Sequence, residues 1–409
     1  MSFAYRNGVL CAEQVPLEDV ARRFGTPCYV YSSHAVRAAY SEYARALHGR
    51  DALVCYSVKA NSNLAVLALL AGLGAGFDIV SGGELARVLA AGGEPGRTFF
   101  SGVGKSAGDI EFALRQGIAC INVESEAELA RVDGLARRIG CRAPIAFRVN
   151  PDIDARTHPY ISTGLRESKF GVAYADAERL YARAASLPGI EVVGVGCHIG
   201  SQLTQSAPLV EAAGRIVALV DRLEGAGITL KHIDIGGGIG IRYRDETPEP
   251  IGDFLEPALR MLGARKHKVV VDPGRSIVGN AGVLLTRVEY VKEGFVVVDA
   301  AMNDLLRPAL YGAWHEIRNA SESAARPAVY DIVGPVCESA DFIAKQRRLA
   351  AAEGDLLAVM SSGAYGMTMS SNYNSRPRAA EVLIDGDRAH LVRSRESVEQ
   401  LFALERIPG

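Results

Sequence analysis

A chain of 409 residues is longer than one ordinary domain, and its 48% hydrophobic content is enough to bury a large core. With 45 basic and 47 acidic side chains the net charge is −2, which offers no overall attraction to nucleic acid or anionic lipid. No stretch approaches the roughly 20 apolar residues of a membrane span. The opening MSFAYRNGVL lacks the basic region and apolar run of a secretion signal, so a cytoplasmic location is expected. Cys11, Cys28, Cys55, Cys120, Cys141, Cys197 and Cys337 form no CxxC pair, and their odd number and irregular spacing argue against a disulfide framework or a metal site.

In chain order, Val9-Leu10-Cys11 reads as a strand ahead of the main body. Eight short apolar runs follow: Val54–Val58, Phe77–Val80, Thr98–Ser101, Cys120–Val123, Ile145–Val149, Val192–Cys197, His232–Ile235 and Val269–Val271. Each is nearly continuous in hydrophobicity, as strands covered on both faces should be. Between them lie helical patterns such as Asn63–Ala71, Gly83–Ala91, Ser125–Ile139 and Leu209–Glu224. Eight strand–helix units predict an α/β fold with a (β/α)8 TIM-like barrel, a doubly wound open sheet being the alternative. Beyond residue 275 the texture changes. Val283–Val291, the turn Lys292-Glu293-Gly294 and Phe295–Ala300 read as a β-hairpin. Ala328–Val333, Leu356–Val359, Ala380–Ile384 and Arg388–Val392 continue as short strands. The expected division is a barrel over 26–275 and a mostly β domain built from 1–25 with 276–409.

In such a barrel, functional side chains follow the C-terminal ends of the strands. Lys59 ends the first run and could form a Schiff base with an aldehyde cofactor, or be an ordinary strand-end lysine. His198 ends the sixth, among glycines that admit a ligand close to the backbone; it could stack on a flat ring, and Ser201 could donate to a phosphate. Gly236, Gly237 and Gly238 end the seventh, where backbone N–H groups could cradle a phosphate or simply make a tight turn. Asp272 and Arg275 end the eighth: a carboxylate for a pyridinium nitrogen and a planar fork for a phosphate or carboxylate, or else a plain ion pair. The β region adds Cys337 beside Glu338 in a Gly/Pro turn, and Tyr365 between glycines. Arg307 and Tyr311, four residues apart, would share one helical face, either as a carboxylate clamp or as a solvated surface.

Together and in this order, YSVKAN, GFDIVSGGEL, HIGSQ, DIGGGIG, DPGRSIVGNAG, MNDLLRPALY, GPVCESAD and SNYNSRP resemble the pyridoxal-phosphate decarboxylases built on an alanine-racemase-like barrel, and within them the diaminopimelate decarboxylase family. The resemblance runs from Gly25-Thr26-Pro27 to Asn372–Pro377, nearly the whole chain. It implies decarboxylation of meso-diaminopimelate to L-lysine, the last step of bacterial lysine synthesis, with pyridoxal 5'-phosphate on Lys59 and His198 stacked on the cofactor ring. It further implies Ser201 and Gly236–Gly238 at the phosphate, Asp272 at the ring nitrogen and Tyr365 at the cofactor. Arg275, Arg307 and Tyr311 would bind the distal carboxylate, Glu338 the distal amino group, and Cys337 would protonate the product carbon. A homodimer with shared sites follows, in which Cys337 and Glu338 reach the partner's site, as does a lid from Ile161–Gly164 to Ser168–Gly171. The family usually has glutamate where this chain has Asp272, one methylene shorter. Rival readings are a decarboxylase of ornithine, lysine or arginine, whose substrates end in a cation alone and do not call for Arg307 and Tyr311, an amino-acid racemase, and a non-catalytic cofactor-binding relative.

Overall fold

The computed structural model describes residues 2–153 and 169–409, so the first part of the expected lid, residues 161–168, lies outside the described residues. The chain divides into two compact units: Ala39–Ile241 with Thr247–Ser276, and Met1–Ala38 with Arg242–Glu246 and Ile277–Gly409. Among the described residues no helix is long and apolar enough to cross a membrane.

The first unit is a closed barrel of eight parallel strands: β1 (Ala52–Ser57), β2 (Gly76–Ile79), β3 (Thr98–Phe100), β4 (Cys120–Val123), β5 (Ala143–Asn150), β6 (Ile190–Gly196), β7 (His232–Asp234) and β8 (Lys268–Val271). Each strand pairs with the next, and Val269 opposite Ala52 joins β8 back to β1. All eight apolar runs named from the sequence are these strands. Closure removes every edge, so each run is covered on both faces. Helices follow the strands, and their starts are written locally: Asn63, Ser81, Ser106 and Ser125 each accept a hydrogen bond from a first-turn N–H. Glu84 and Glu128 reach back to the N–H groups of Val80 and Glu124 (both 2.7 Å), which fixes the chain where β2 and β4 run out. Leu53 and Cys55 of β1, Phe99, Cys120, Ala146, Val193 and Val270 form one cluster filling the barrel.

His232 of β7 is an odd member of that filling. It is 6% exposed, its ring meets Phe99 edge-on at 5.1 Å, and it occupies the space that a side chain on Gly194 would need. Burial pushes its pKa down to about 4, with Lys268 and other nearby cations adding to the effect. The folded barrel therefore holds a neutral ring, while the unfolded chain takes a proton near pH 6.5. The contribution is fully present above pH 6.5 and is lost as pH falls towards 4. The urea midpoint of the wild type should fall between pH 7 and pH 4.5, with up to about 3 kcal/mol of the loss traceable to this ring. His232→Phe should shrink that fall, and an identical pH response in the variant would contradict the assignment.

The second unit is a sheet in the order Phe342–Leu349, Ala328–Val333, Phe295–Val298, Gly282–Lys292, Cys28–Ser32, Ala380–Asp385 and Arg388–Arg393, with Leu356–Val359 branching from Gly282–Lys292 and Ile317–Asn319 pairing with Leu356–Val359. The expected hairpin is present, with a bulge near Tyr290. Val9–Ala12 forms a small sheet with Phe3–Arg6 and Val15–Pro16, and Leu10 packs into a core with Val30, Val283, Leu285 and Val382.

The boundaries differ from the sequence expectation in two places. Cys28–Ser32, assigned with 26–275 to the barrel, belongs to this sheet: Cys28–Tyr31 run antiparallel to Gly282–Leu285, and Cys28–Ser32 run parallel to Ala380–Ile384. All five of its residues are buried, so it looks like a barrel strand in every local respect. The loop Arg242–Glu246, inside the barrel sequence, also groups with the β unit. There Tyr243 packs edge-on against His315 at 5.4 Å.

Candidate active site

The mouth formed by the C-terminal strand ends of the barrel gathers Lys59, His198, Ser201, Gly236, Gly237, Gly238, Asp272 and Arg275. Lys59 stands in a single helical turn, Val58–Ala60, directly after β1, and its Nζ lies 3.5 Å from Asp78 Oδ2 at the end of β2. Asp78 also accepts from Ser101 Oγ (2.5 Å), which in turn accepts from Asn122 Nδ2 (3.0 Å). His198 Nδ1 lies 3.4 Å from Asp272 Oδ1, a buried oxygen with no hydrogen-bond donor among the described residues. The two guanidinium contacts of Arg275 on Ser201 Oγ, at 3.3 and 3.0 Å, tie the eighth strand end to the sixth.

The glycine run is wedged between those two strand ends. A Cβ at Gly236 would stand 2.5 Å from the Cys197 carbonyl, at Gly237 2.5 Å from the Asp272 carbonyl, and at Gly238 2.2 Å from the Gly200 carbonyl. Gly236 and Gly238 also have φ of 79° and 89°, so only glycine fits. The Gly236 N–H is held by Asp234 Oδ1 at 2.8 Å. The N–H groups of Gly237 and Gly238 donate to nothing among the described residues, which is the donor pattern an anion cradle requires. A phosphate-bearing aldehyde fits this mouth: a lysine for the aldehyde, open backbone donors for the phosphate, and a buried, undonated carboxylate oxygen for a protonated ring nitrogen.

Five residues of this mouth were not singled out from the sequence: Asp78, Asn122, Glu124, Arg148 and Asp234. Burial holds the Asp78 carboxyl above its ordinary range, against the pull of Lys59. Asp234 is raised well above its own, first by burial and then by Asp272. Glu124 accepts from the N–H groups of Gly102 (2.7 Å) and Gly171 (3.0 Å) and pairs with Arg148 at 3.7 Å. Arg148 in turn lies 4.6 Å over the Phe170 ring, so the described end of the expected lid is moored to the barrel. The available signal was a charged or amide side chain inside an otherwise apolar strand, as in Phe77-Asp78-Ile79 or Phe147-Arg148-Val149.

The remaining predicted residues lie on the β unit. Arg307 and Tyr311 open and close one short helix, Arg307–Tyr311, so the shared helical turn expected of them is real. Arg307 is buried, donates to His315 Nε2 at 2.9 Å and lies 4.5 Å over the Tyr243 ring. Cys337 and Glu338 are exposed in a turn pinned by Val336 N–H on Asp341 (2.7 Å) and Cys337 N–H on Asn374 (2.9 Å). Cys337 is the one exposed cysteine of the seven; Cys28, Cys55, Cys120 and Cys197 are buried, and burial raises their thiol pKa values, Cys28 to about 12. Tyr365 adopts a left-handed φ of 56°, a strained conformation for an aromatic residue.

Residues 33–279 match the family model for the pyridoxal-binding domain of pyridoxal-dependent decarboxylases. The chain is 58% identical to the diaminopimelate decarboxylase of Pseudomonas aeruginosa over 410 aligned positions, covering 99% of each protein. It superposes on the diaminopimelate decarboxylase of Helicobacter pylori, solved with L-lysine, with a TM-score of 0.92 at 44% identity, covering 95% of this chain and 99% of that one. For the M. jannaschii enzyme, also solved with L-lysine, the TM-score is 0.95 at 35% identity, over 100% and 98% of the two chains. The chain belongs to the diaminopimelate decarboxylase family of pyridoxal-dependent decarboxylases.

Proposed function

We propose that this chain converts meso-diaminopimelate to L-lysine and carbon dioxide, using pyridoxal phosphate held on Lys59. The observation that carries the reading is that one family member has a lysine and an open glycine run at the strand ends of its barrel, and a buried arginine and a tyrosine on one helical turn of its β unit. When bound, the cofactor supplies an electron sink for the pair left on the carbon that loses its carboxylate. The protein supplies position and charge. Asp78 orients Lys59, His198 covers the ring face, and Asp272 meets the ring nitrogen. Ser201, Gly236, Gly237 and Gly238 bind the phosphate, and Tyr365 contacts the cofactor from the β unit. Arg307 and Tyr311, with Arg275, grip the distal carboxylate and so hold the scissile bond in one orientation. Cys337 of the partner subunit donates the proton that replaces the departed carboxylate, and Glu338 of the partner subunit pairs with the distal ammonium. The working unit is thus a homodimer, located in the cytoplasm.

Carbon dioxide release from a panel of meso-diaminopimelate, lysine, ornithine and arginine tests the substrate. Diaminopimelate should be turned over far faster than the others. Arg307→Ala should cost about 2–5 kcal/mol in kcat/KM while cofactor binding is retained, because a desolvated carboxylate loses its charge partner. Equal turnover of ornithine or lysine, or an unaffected Arg307→Ala protein, would contradict the reading.

Shared sites make a second test. Lys59→Ala and Cys337→Ala proteins, each inactive, should complement when mixed under subunit exchange. Random pairing gives about half heterodimers, each with one intact site, so about a quarter of wild-type activity should return. Proven exchange with no recovered activity would contradict the shared site.

A further inference from the structure

The arginine of the proposed clamp does not stand alone. His315 is fully buried, and its two ring nitrogens have different partners: Nε2 lies 2.9 Å from Arg307 Nη1, and Nδ1 lies 2.9 Å from the Met360 carbonyl oxygen. A guanidinium can only donate and a carbonyl can only accept. The two contacts together therefore fix one state of the ring: neutral, with its proton on Nδ1 and the Nε2 lone pair aimed at Arg307. The backbone holds this arrangement in place, since the Met360 N–H donates to the Glu316 carbonyl at 2.8 Å beside the same ring. Tyr243 completes it, with its ring 4.5 Å beneath the Arg307 guanidinium and edge-on to His315 at 5.4 Å.

We infer that His315 is a specificity-determining positioning residue: its Nε2 lone pair, with the Tyr243 ring, sets the direction in which Arg307 presents its fork to the substrate's distal carboxylate. The inference rests on the reading of Arg307 as the carboxylate clamp. An arginine on a flexible stem recognises a carboxylate through parallel N–H groups only when its plane is fixed. A glutamate or aspartate in the place of His315 would fix that plane but cancel the charge. A neutral imidazole accepts one N–H without cancelling the charge. Further cations border the same segment: Arg347 donates to the His315 carbonyl at 3.2 Å and lies 4.2 Å over Trp314, and Arg244 lies 5.9 Å from the Trp314 ring.

The test uses two ligands of the holoprotein. L-Lysine keeps the distal carboxylate of diaminopimelate, and cadaverine is the same chain without it, so the ratio of their Kd values reads the clamp directly. Wild-type protein should favour lysine by roughly a hundredfold, a charge-assisted bidentate contact, and Arg307→Ala should bring the ratio close to one. His315→Phe should cut the ratio roughly tenfold and raise KM for diaminopimelate more than it lowers kcat, and His315→Gln, which can still accept, should restore part of the loss. Added to Arg307→Ala, His315→Phe should change lysine binding no further. If Arg307→Ala collapses the ratio and His315→Phe leaves it intact, the inference is wrong and the clamp stands. If Arg307→Ala itself leaves the ratio intact, the clamp reading falls and this inference with it. Should His315→Phe fail to fold, nitrogen-15 imidazole spectra of the wild type, assigned by loss of the signal in His315→Gln, still decide. A buried neutral ring protonated on Nδ1 is expected, and one protonated on Nε2 would overturn the inference.

Discussion

Three buried carboxylates, Asp78, Asp234 and Asp272, crowd the end of the barrel where strands β2, β7 and β8 run out, and the rest of the site is arranged around them. Burial without compensation would cost several kcal/mol for each charge. The raised pKa values of Asp78 and Asp234 show burial outweighing the attraction that remains. Lys59 lies against Asp78 at 3.5 Å, and His198 Nδ1 lies 3.4 Å from Asp272 Oδ1. The amine proposed to hold an aldehyde and the ring proposed to cover it are thus held by the acids that need them. Asp234, which accepts the Gly236 N–H, extends the same economy of charge into the glycine run.

The shorter acid at position 272 fits this packing. A Cβ on Gly237 would stand 2.6 Å from Asp272 Oδ1, so the carboxylate already touches the glycine backbone. One oxygen has no donor among the described residues, a state that a protonated ring nitrogen would relieve.

Much of this was legible in the sequence because it is local. Strands closed into a barrel are apolar on both faces, helix starts are announced by Asn63, Ser81, Ser106 and Ser125, and residues after strand ends converge at one mouth. What failed is what depends on distant pairing. Cys28–Ser32 has the same continuous burial as a barrel strand, and only its partners, Gly282–Leu285 and Ala380–Ile384, reveal its sheet. Asp78 and Asp234 stood inside recognised motifs, yet their part in the charge balance depends on Lys59, Asp272 and one another. The contact of Tyr243 with Arg307 and His315 is likewise invisible locally, since Tyr243 comes from a loop inside the barrel sequence.

On the proposed reading the barrel would hold the cofactor, and the β unit would read the far end of the substrate. A crystal structure of the holoprotein with L-lysine bears on that division most directly. The account predicts the cofactor phosphate on the Gly237 and Gly238 N–H groups and the lysine carboxylate on the Arg307 guanidinium and the Tyr311 phenol, with Cys337 of the partner subunit facing the same site. A lysine carboxylate bound away from Arg307, or a site completed by the Cys337 of its own chain, would contradict it.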